Sequence, residues 1–225
     1  MSVTESTDHS AEEHAEGHHE TPQERHKKEH MATWLFIGGD MVVFALEIFF
    51  WFYLRTLNTN GMWIGAQCSP ANQCTDGLGN PISHPITQET TWHTLLIAAV
   101  IILAAVFIWF GEVQARKSAP KSVVTPMLGF GVLFTLLALA LQFWQFQVLP
   151  FTTIDGAYAS TFTFIMGANI AHFLIVLTIG IGIFNRSRKG MYENGNWYQL
   201  HLSRLFAVWV AVSCTILAVM ASFFA

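Results

Sequence analysis

Five apolar stretches of about twenty residues constrain this 225-residue chain more than any other feature. A helix needs about 20 mostly apolar residues to cross a hydrocarbon core about 30 Å thick. Since 52% of the residues are hydrophobic and only 12% are charged, an ordinary soluble domain is excluded. The sequence predicts an all-α integral membrane protein, a multi-pass bundle of five transmembrane helices at residues 32–54, 92–113, 127–149, 158–184 and 202–224.

The lysines and arginines predict the orientation of this bundle. Short cytoplasmic loops hold an excess of both residues. Ten of them lie in the N-terminal segment, in the second and fourth connections and at the start of the last helix, against Arg55 alone on the other side. We therefore expect the N-terminus inside and the C-terminus outside. A net charge of −4 without a basic cluster argues against a nucleic-acid partner.

Two segments of the chain are polar. One precedes the predicted membrane domain of residues 32–225, and the other is a loop within it. Residues 1–31 are rich in His and Glu and poor in large apolar side chains, which predicts a disordered cytoplasmic tail. The loop at residues 55–91 is predicted to lie outside and contains Cys68 and Cys74. These two cysteines either form a local disulfide on the oxidising side or remain free thiols.

Polar side chains at membrane depth are the candidate functional residues, because they are costly there and tend to face a bundle interior. Asp40 and Glu47 are seven residues apart, so they share one helix face about 10 Å apart. The depths of Asp40 and Glu47 in the membrane match those of polar residues in the third and fourth spans. This match predicts two layers of polar side chains. The inner layer is Asp40 with Asn169 and His172, and the outer layer is Glu47 with Gln142 and Gln145.

The same residues have a simpler interpretation, in which they only hydrogen-bond neighbouring helices. A carboxyl group in so apolar a place needs a partner or must be protonated, so this interpretation fits the amides better than the acids. Glu112 differs, because Arg116 follows it by four residues near a helix end and predicts a solvated pair.

No active site of this chain's own is predicted. Motifs for nucleotide, zinc or nucleophilic chemistry are absent from the sequence. His93 and His172 fall at different depths of the membrane, so they do not form an axial pair for haem. We therefore expect no metal or other cofactor bound by this chain.

Two segments carry a resemblance to a known family. The first span, TWLFIGGDMVVFALEIFFWFYLR, and the fourth, YASTFTFIMGANIAHFLIVLTIGIG, resemble subunit III of haem-copper terminal oxidases in its five-helix form. Asp40 stands where the family has a buried acid, His172 matches the second histidine of a family motif, and Trp209 matches a tryptophan of the last helix. Asn169, Ser203 and Phe206 depart from the family pattern, which indicates a divergent branch.

The resemblance implies a non-catalytic subunit of an aerobic respiratory oxidase, which couples electron transfer to O2 to proton translocation. Haem and copper would be held by partner subunits I and II of a cytochrome c or quinol oxidase in a bacterial or archaeal-type inner membrane. Such a subunit binds phospholipid in a cleft and supports proton uptake and the stability of the catalytic subunit. Asp40 would be its buried acid, with His172 as polar neighbour.

Two alternatives remain open from the sequence. A nitric oxide reductase accessory subunit would share the fold and look much the same. A small cation transporter would use Asp40 and Glu47 to line an ion path.

Overall fold

The computed structural model describes residues 21–57, 63, 74–75, 81–82, 89, 91–154, 156–193 and 196–224. Five helices cover most of this part of the chain: α1 Pro22–Thr56, α2 Thr91–Arg116, α3 Lys121–Gln147, α4 Ala157–Arg188 and α5 Tyr198–Phe223. Each of them is long and apolar enough to cross a membrane. The predicted all-helical, multi-pass architecture is therefore confirmed.

The connection between α1 and α2 contains a two-residue antiparallel pair, β1 Cys74–Thr75 with β2 Pro81–Ile82. Cys68 and the side chain of Cys74 lie outside the described residues, so their disulfide stays a prediction. Residues 1–20 of the predicted tail also lie outside the described part.

Helix α1 begins ten residues before its predicted start, so the prediction of disorder is wrong for residues 22–31. The Thr21 hydroxyl accepts a hydrogen bond from the Glu24 amide, and the Glu24 carboxylate accepts one from the Thr21 amide. Pro22 stands at the first helical position, where its missing N–H costs nothing. This capping box makes a helix start in a segment whose polarity alone indicated disorder.

The helices pack unequally. Helices α2, α3, α4 and α5 form the core of the bundle, and α1 packs only against α4 and α5 among the described elements. Gly131 of α3 faces Ile108 of α2 so closely that an added Cβ would lie 2.8 Å from the Ile108 side chain. The small residue thus lets these two helices approach each other.

Helix α1 leaves most of its surface uncovered. In its most apolar segment 17% of the residues are buried, against 61% in α5. Leu35, Val42 and Phe49 recur every seven residues on α1 and are 70%, 62% and 56% exposed. This side of α1 must therefore face lipid or another protein.

Helices α1, α2 and α4 carry arginine and lysine side chains at one end of the bundle, which we name the basic end. The chain turns from α4 into α5 at this end. Gly190 adopts a positive φ of 72° at this turn. Tyr192 follows it and is 3% exposed, so burial raises the pKa of its hydroxyl to about 12, against the opposing effect of Arg186.

Candidate functional site

Asp40 of α1 joins three helices through its two carboxylate oxygens. His172 Nε2 of α4 lies 2.8 Å from Asp40 Oδ1. The indole Nε1 of Trp209 on α5 donates to Asp40 Oδ2 at 2.5 Å. The side chains of Asp40 and His172 are 16% and 18% exposed. The predicted approach of His172 to Asp40 is confirmed, and we name this set the Asp40 triad.

Trp209 is the third member of the triad, and its contact with Asp40 is not among the predictions made from the sequence. Its ring also meets Phe44 of α1 edge to face, with centroids 5.5 Å apart. The signal was available, because a buried indole N–H usually finds an acceptor and an intramembrane carboxylate needs donors.

Glu47 lies near the same face of α1 but has a different environment. It is 3% exposed, and its Oε1 atom has no hydrogen-bond partner among the described residues. Glu47 does not contact Gln142 or Gln145, since no contact joins α1 to α3 in the described structure, and their shared outer layer stays a prediction about depth. Equal depth in the membrane did not make these residues neighbours.

The two glutamines instead belong to what we name the glutamine cluster, at the end opposite the basic end. Gln142 donates to Gln145 at 2.8 Å, and Gln145 reaches Glu89 at 3.5 Å. Glu89 Oε1 lies 2.6 Å from His93 Nδ1, and its backbone amide donates to the Tyr158 hydroxyl at 3.2 Å. Glu89 is 5% exposed and so forms a second buried carboxylate site.

Asn169 lines a small cavity beside the glutamine cluster. The cavity measures about 20 Å³ and is also lined by Gln142, Gln145 and Thr94. One water molecule fits such a volume when polar groups surround it. No hydrogen bond links Asn169 to Asp40 or His172 in the described structure, so its place in their layer stays a prediction about depth. It lies one turn away, toward the glutamines.

Glu112 is the third buried carboxylate, and the prediction of a solvated pair is wrong. The residue is 1% exposed. Arg116 Nε donates to its Oε1 at 2.8 Å, and Arg204 Nε of α5 lies 2.7 Å from its Oε2. His201 Nδ1 lies 3.1 Å from Oε1. Helix α5 covers Glu112 at the basic end and supplies the second arginine, which a local α2 pattern cannot indicate.

The Asp40 triad and the buried Glu112 link helices of the bundle through polar contacts. In the part of the chain that the structure describes, no three His, Cys, Asp or Glu side chains come together as a metal site. The Asp40 and His172 pair places a carboxyl oxygen and an imidazole nitrogen 2.8 Å apart, at hydrogen-bond distance.

Comparisons of the sequence with known protein families and with curated proteins gave no match.

Replacing Glu47 with methionine is expected to raise the free energy of unfolding by about 1 kcal/mol. A buried carboxyl oxygen without a partner costs about 1–3 kcal/mol, and methionine removes it at similar volume. Unfolding in mixed detergent micelles, followed by circular dichroism, measures the change. Glu47→Gln is the matched control and keeps a polar group at the site, so it should give no gain. A clear loss of stability in Glu47→Met would mean that the carboxyl group has a stabilising partner.

Proposed function

We propose that this chain is the non-catalytic subunit III of an aerobic respiratory terminal oxidase of the haem-copper type. The observation that carries the proposal is the meeting of Asp40, His172 and Trp209. Asp40 and His172 come from the two segments that resemble this family, Trp209 is the one residue of the family's last-helix pattern that this chain keeps, and the two partners lie 132 and 169 residues from Asp40 along the chain. The contact between Asp40 and His172 supports the proposal, because it joins the two segments on which the resemblance rests.

The uncovered side of α1 supports assembly with larger membrane subunits. Its exposed apolar stripe, with Leu35, Val42 and Phe49, runs along one face of the helix. Under this proposal subunits I and II cover part of the bundle surface and hold the haem and copper. The chain lies in a bacterial or archaeal-type inner membrane with its basic end inside, which agrees with the distribution of lysine and arginine.

In this role the chain's own residues hold a proton and a lipid. The Asp40 and His172 pair keeps an exchangeable proton inside the membrane and supports proton uptake by the catalytic subunit. A cleft of about 280 Å³ between α1, α4 and α5, lined by Phe36, Ile179 and Phe206, accommodates phospholipid. Both contributions stabilise the catalytic subunit without a reaction on this chain.

Extraction of the tagged full chain in a mild detergent is expected to bring down a larger subunit that contains haem. The complex should show haem bands in a reduced-minus-oxidised spectrum and should consume O2. Asp40→Ala should lower the yield of the partner, because α1 loses its polar link to α4 and α5. Leu133→Ala on the lipid-facing side of α3, at a residue 55% exposed, is the control and should leave the yield unchanged.

Two outcomes would contradict the proposal. A colourless protein that purifies without partners would favour a transporter. A haem-containing partner that reduces nitric oxide and not O2 would assign the chain to the nitric oxide reductases.

A further inference from the structure

A lipid-facing groove runs between α2 and α5. Helix α1 does not contact α2 in the described structure. It has a volume of about 370 Å³ and almost entirely apolar walls. Its walls are formed by Ile102, Val106 and Trp109 of α2 and by Val208, Val212 and Ile216 of α5. Ala105 and Ala211 form the floor, being 5% and 6% exposed. Small residues therefore form the base of the groove.

The length of the groove fits one lipid chain better than a partner helix. From Val208 to Ile216 it extends about 12 Å along α5. One leaflet of the hydrocarbon core is about 15 Å thick, whereas a transmembrane helix needs contact across about 30 Å. The groove begins about 6 Å and ends about 18 Å along α5 from Arg204, a distance that one extended acyl chain spans from a headgroup held at that arginine.

Cationic groups stand at one end of the groove. Arg204 precedes Val208 by four residues, so it lies on the same face of α5, and its guanidinium lies 5.7 Å from the ring centroid of Trp109. Arg116 lies beside it through their shared partner Glu112. Two arginines against one glutamate leave this cluster with a net charge of +1 when His201 is neutral.

The arginines retain unused donors. Their contacts with Glu112 and His201 involve only Nε and Nη2, and Nη1 of neither Arg116 nor Arg204 contacts a polar group in the described residues. The Arg116 side chain is 42% exposed, so an external ligand can reach it. A singly charged phosphodiester would balance the net charge of the cluster.

We propose that α2 and α5 form a binding site for one anionic phospholipid. The acyl chain fills the groove, and the headgroup phosphate accepts hydrogen bonds from the Nη1 groups of Arg116 and Arg204. Basic pockets between transmembrane helices recognise anionic headgroups in this way. The site is separate from the cleft beside α1 and does not depend on the oxidase proposal.

Native mass spectrometry of the delipidated full chain tests the site with three probes. These are phosphatidylglycerol, phosphatidylcholine with the same acyl chains, and inorganic phosphate. We expect phosphatidylglycerol to bind about fivefold more tightly than phosphatidylcholine, since one net cation near the interface distinguishes them. Inorganic phosphate alone should not displace the bound lipid, because it lacks the chain that fills the groove.

Two variants separate the headgroup from the chain. Arg116→Gln should abolish the preference while Arg204 and His201 still pair with Glu112. Val212→Trp should fill the groove at a position 46% exposed and weaken both lipids equally. Arg188→Gln at the same end of the bundle and Leu133→Trp on α3 are the matched controls, and neither should change lipid binding.

The proposal is overturned by equal binding of the two lipids to the wild-type chain, or by a preference that survives Arg116→Gln. Displacement of the lipid by phosphate alone would also overturn it. So would a purified complex in which a partner helix occupies the groove and no lipid is retained.

Discussion

Replacing Glu112 with alanine is expected to lower the free energy of unfolding by about 3 kcal/mol. Removing one partner of a buried ion pair costs about 3–5 kcal/mol, because the remaining charges lose their compensation. We expect a loss at the lower end of this range because the Arg116 side chain is 42% exposed. It therefore reaches solvent or lipid headgroups when Glu112 has been replaced. Arg204, at 21% exposed, is the charge that would be left poorly paired against α2.

The matched control is Glu29→Ala on the N-terminal part of α1. Glu29 also pairs with an arginine four residues away, Arg25, but their side chains are 31% and 66% exposed. An exposed pair of this kind contributes about 0.3–0.5 kcal/mol. Unfolding of both variants in mixed micelles distinguishes the two environments. A loss for Glu112→Ala no larger than that for Glu29→Ala would show that Glu112 is solvated after all.

The second large effect is expected at Asp40. Asp40→Ala should lower the free energy of unfolding by about 2 kcal/mol, more than the ~0.6 kcal/mol typical of one interhelical hydrogen bond in a membrane. The Asp40 side chain has two partners, so its loss removes one contact to α4 and one to α5. The change also leaves the Trp209 N–H without an acceptor, so α1 should become the most easily released helix.

A double-mutant cycle with Trp209→Phe isolates this contact. Phenylalanine keeps most of the ring against Phe44 and removes only the N–H donor. If Asp40 and Trp209 are coupled as described, the double variant should be less destabilised than the sum of the single variants. Additive effects would exclude a stabilising bond between them. Asp40→Asn, which keeps an acceptor oxygen, should lose about half as much stability as Asp40→Ala.

The number and type of the helices could be predicted because the bilayer fixes the length of an apolar run. The ends of the helices could not be predicted in this way, since a helix continues through polar residues beyond its apolar stretch. Helix α4 thus ends at Arg188, four residues after the predicted end. The start of α1 required the capping pattern at Thr21, which a reading of composition overlooks.

The candidate sites were predicted only where depth and neighbouring helices coincided. Asp40 and His172 share a level and lie on helices that touch, so their contact was found. Glu47 and Gln142 also share a predicted level, but α1 and α3 do not meet, and depth alone contains no information about adjacency. Glu112 was misjudged because its second arginine comes from α5, far along the chain.

The wide separation of the triad in the chain has a consequence for biosynthesis. Asp40 is made 132 residues before His172 and 169 residues before Trp209. At ribosomal rates of about 5–20 residues per second, its partners are synthesised about 7 to 34 seconds later. During that interval the nascent first span contains a carboxyl group that lacks both of its native partners. The packing of α1 against α4 and α5 is therefore completed only in the last step of insertion.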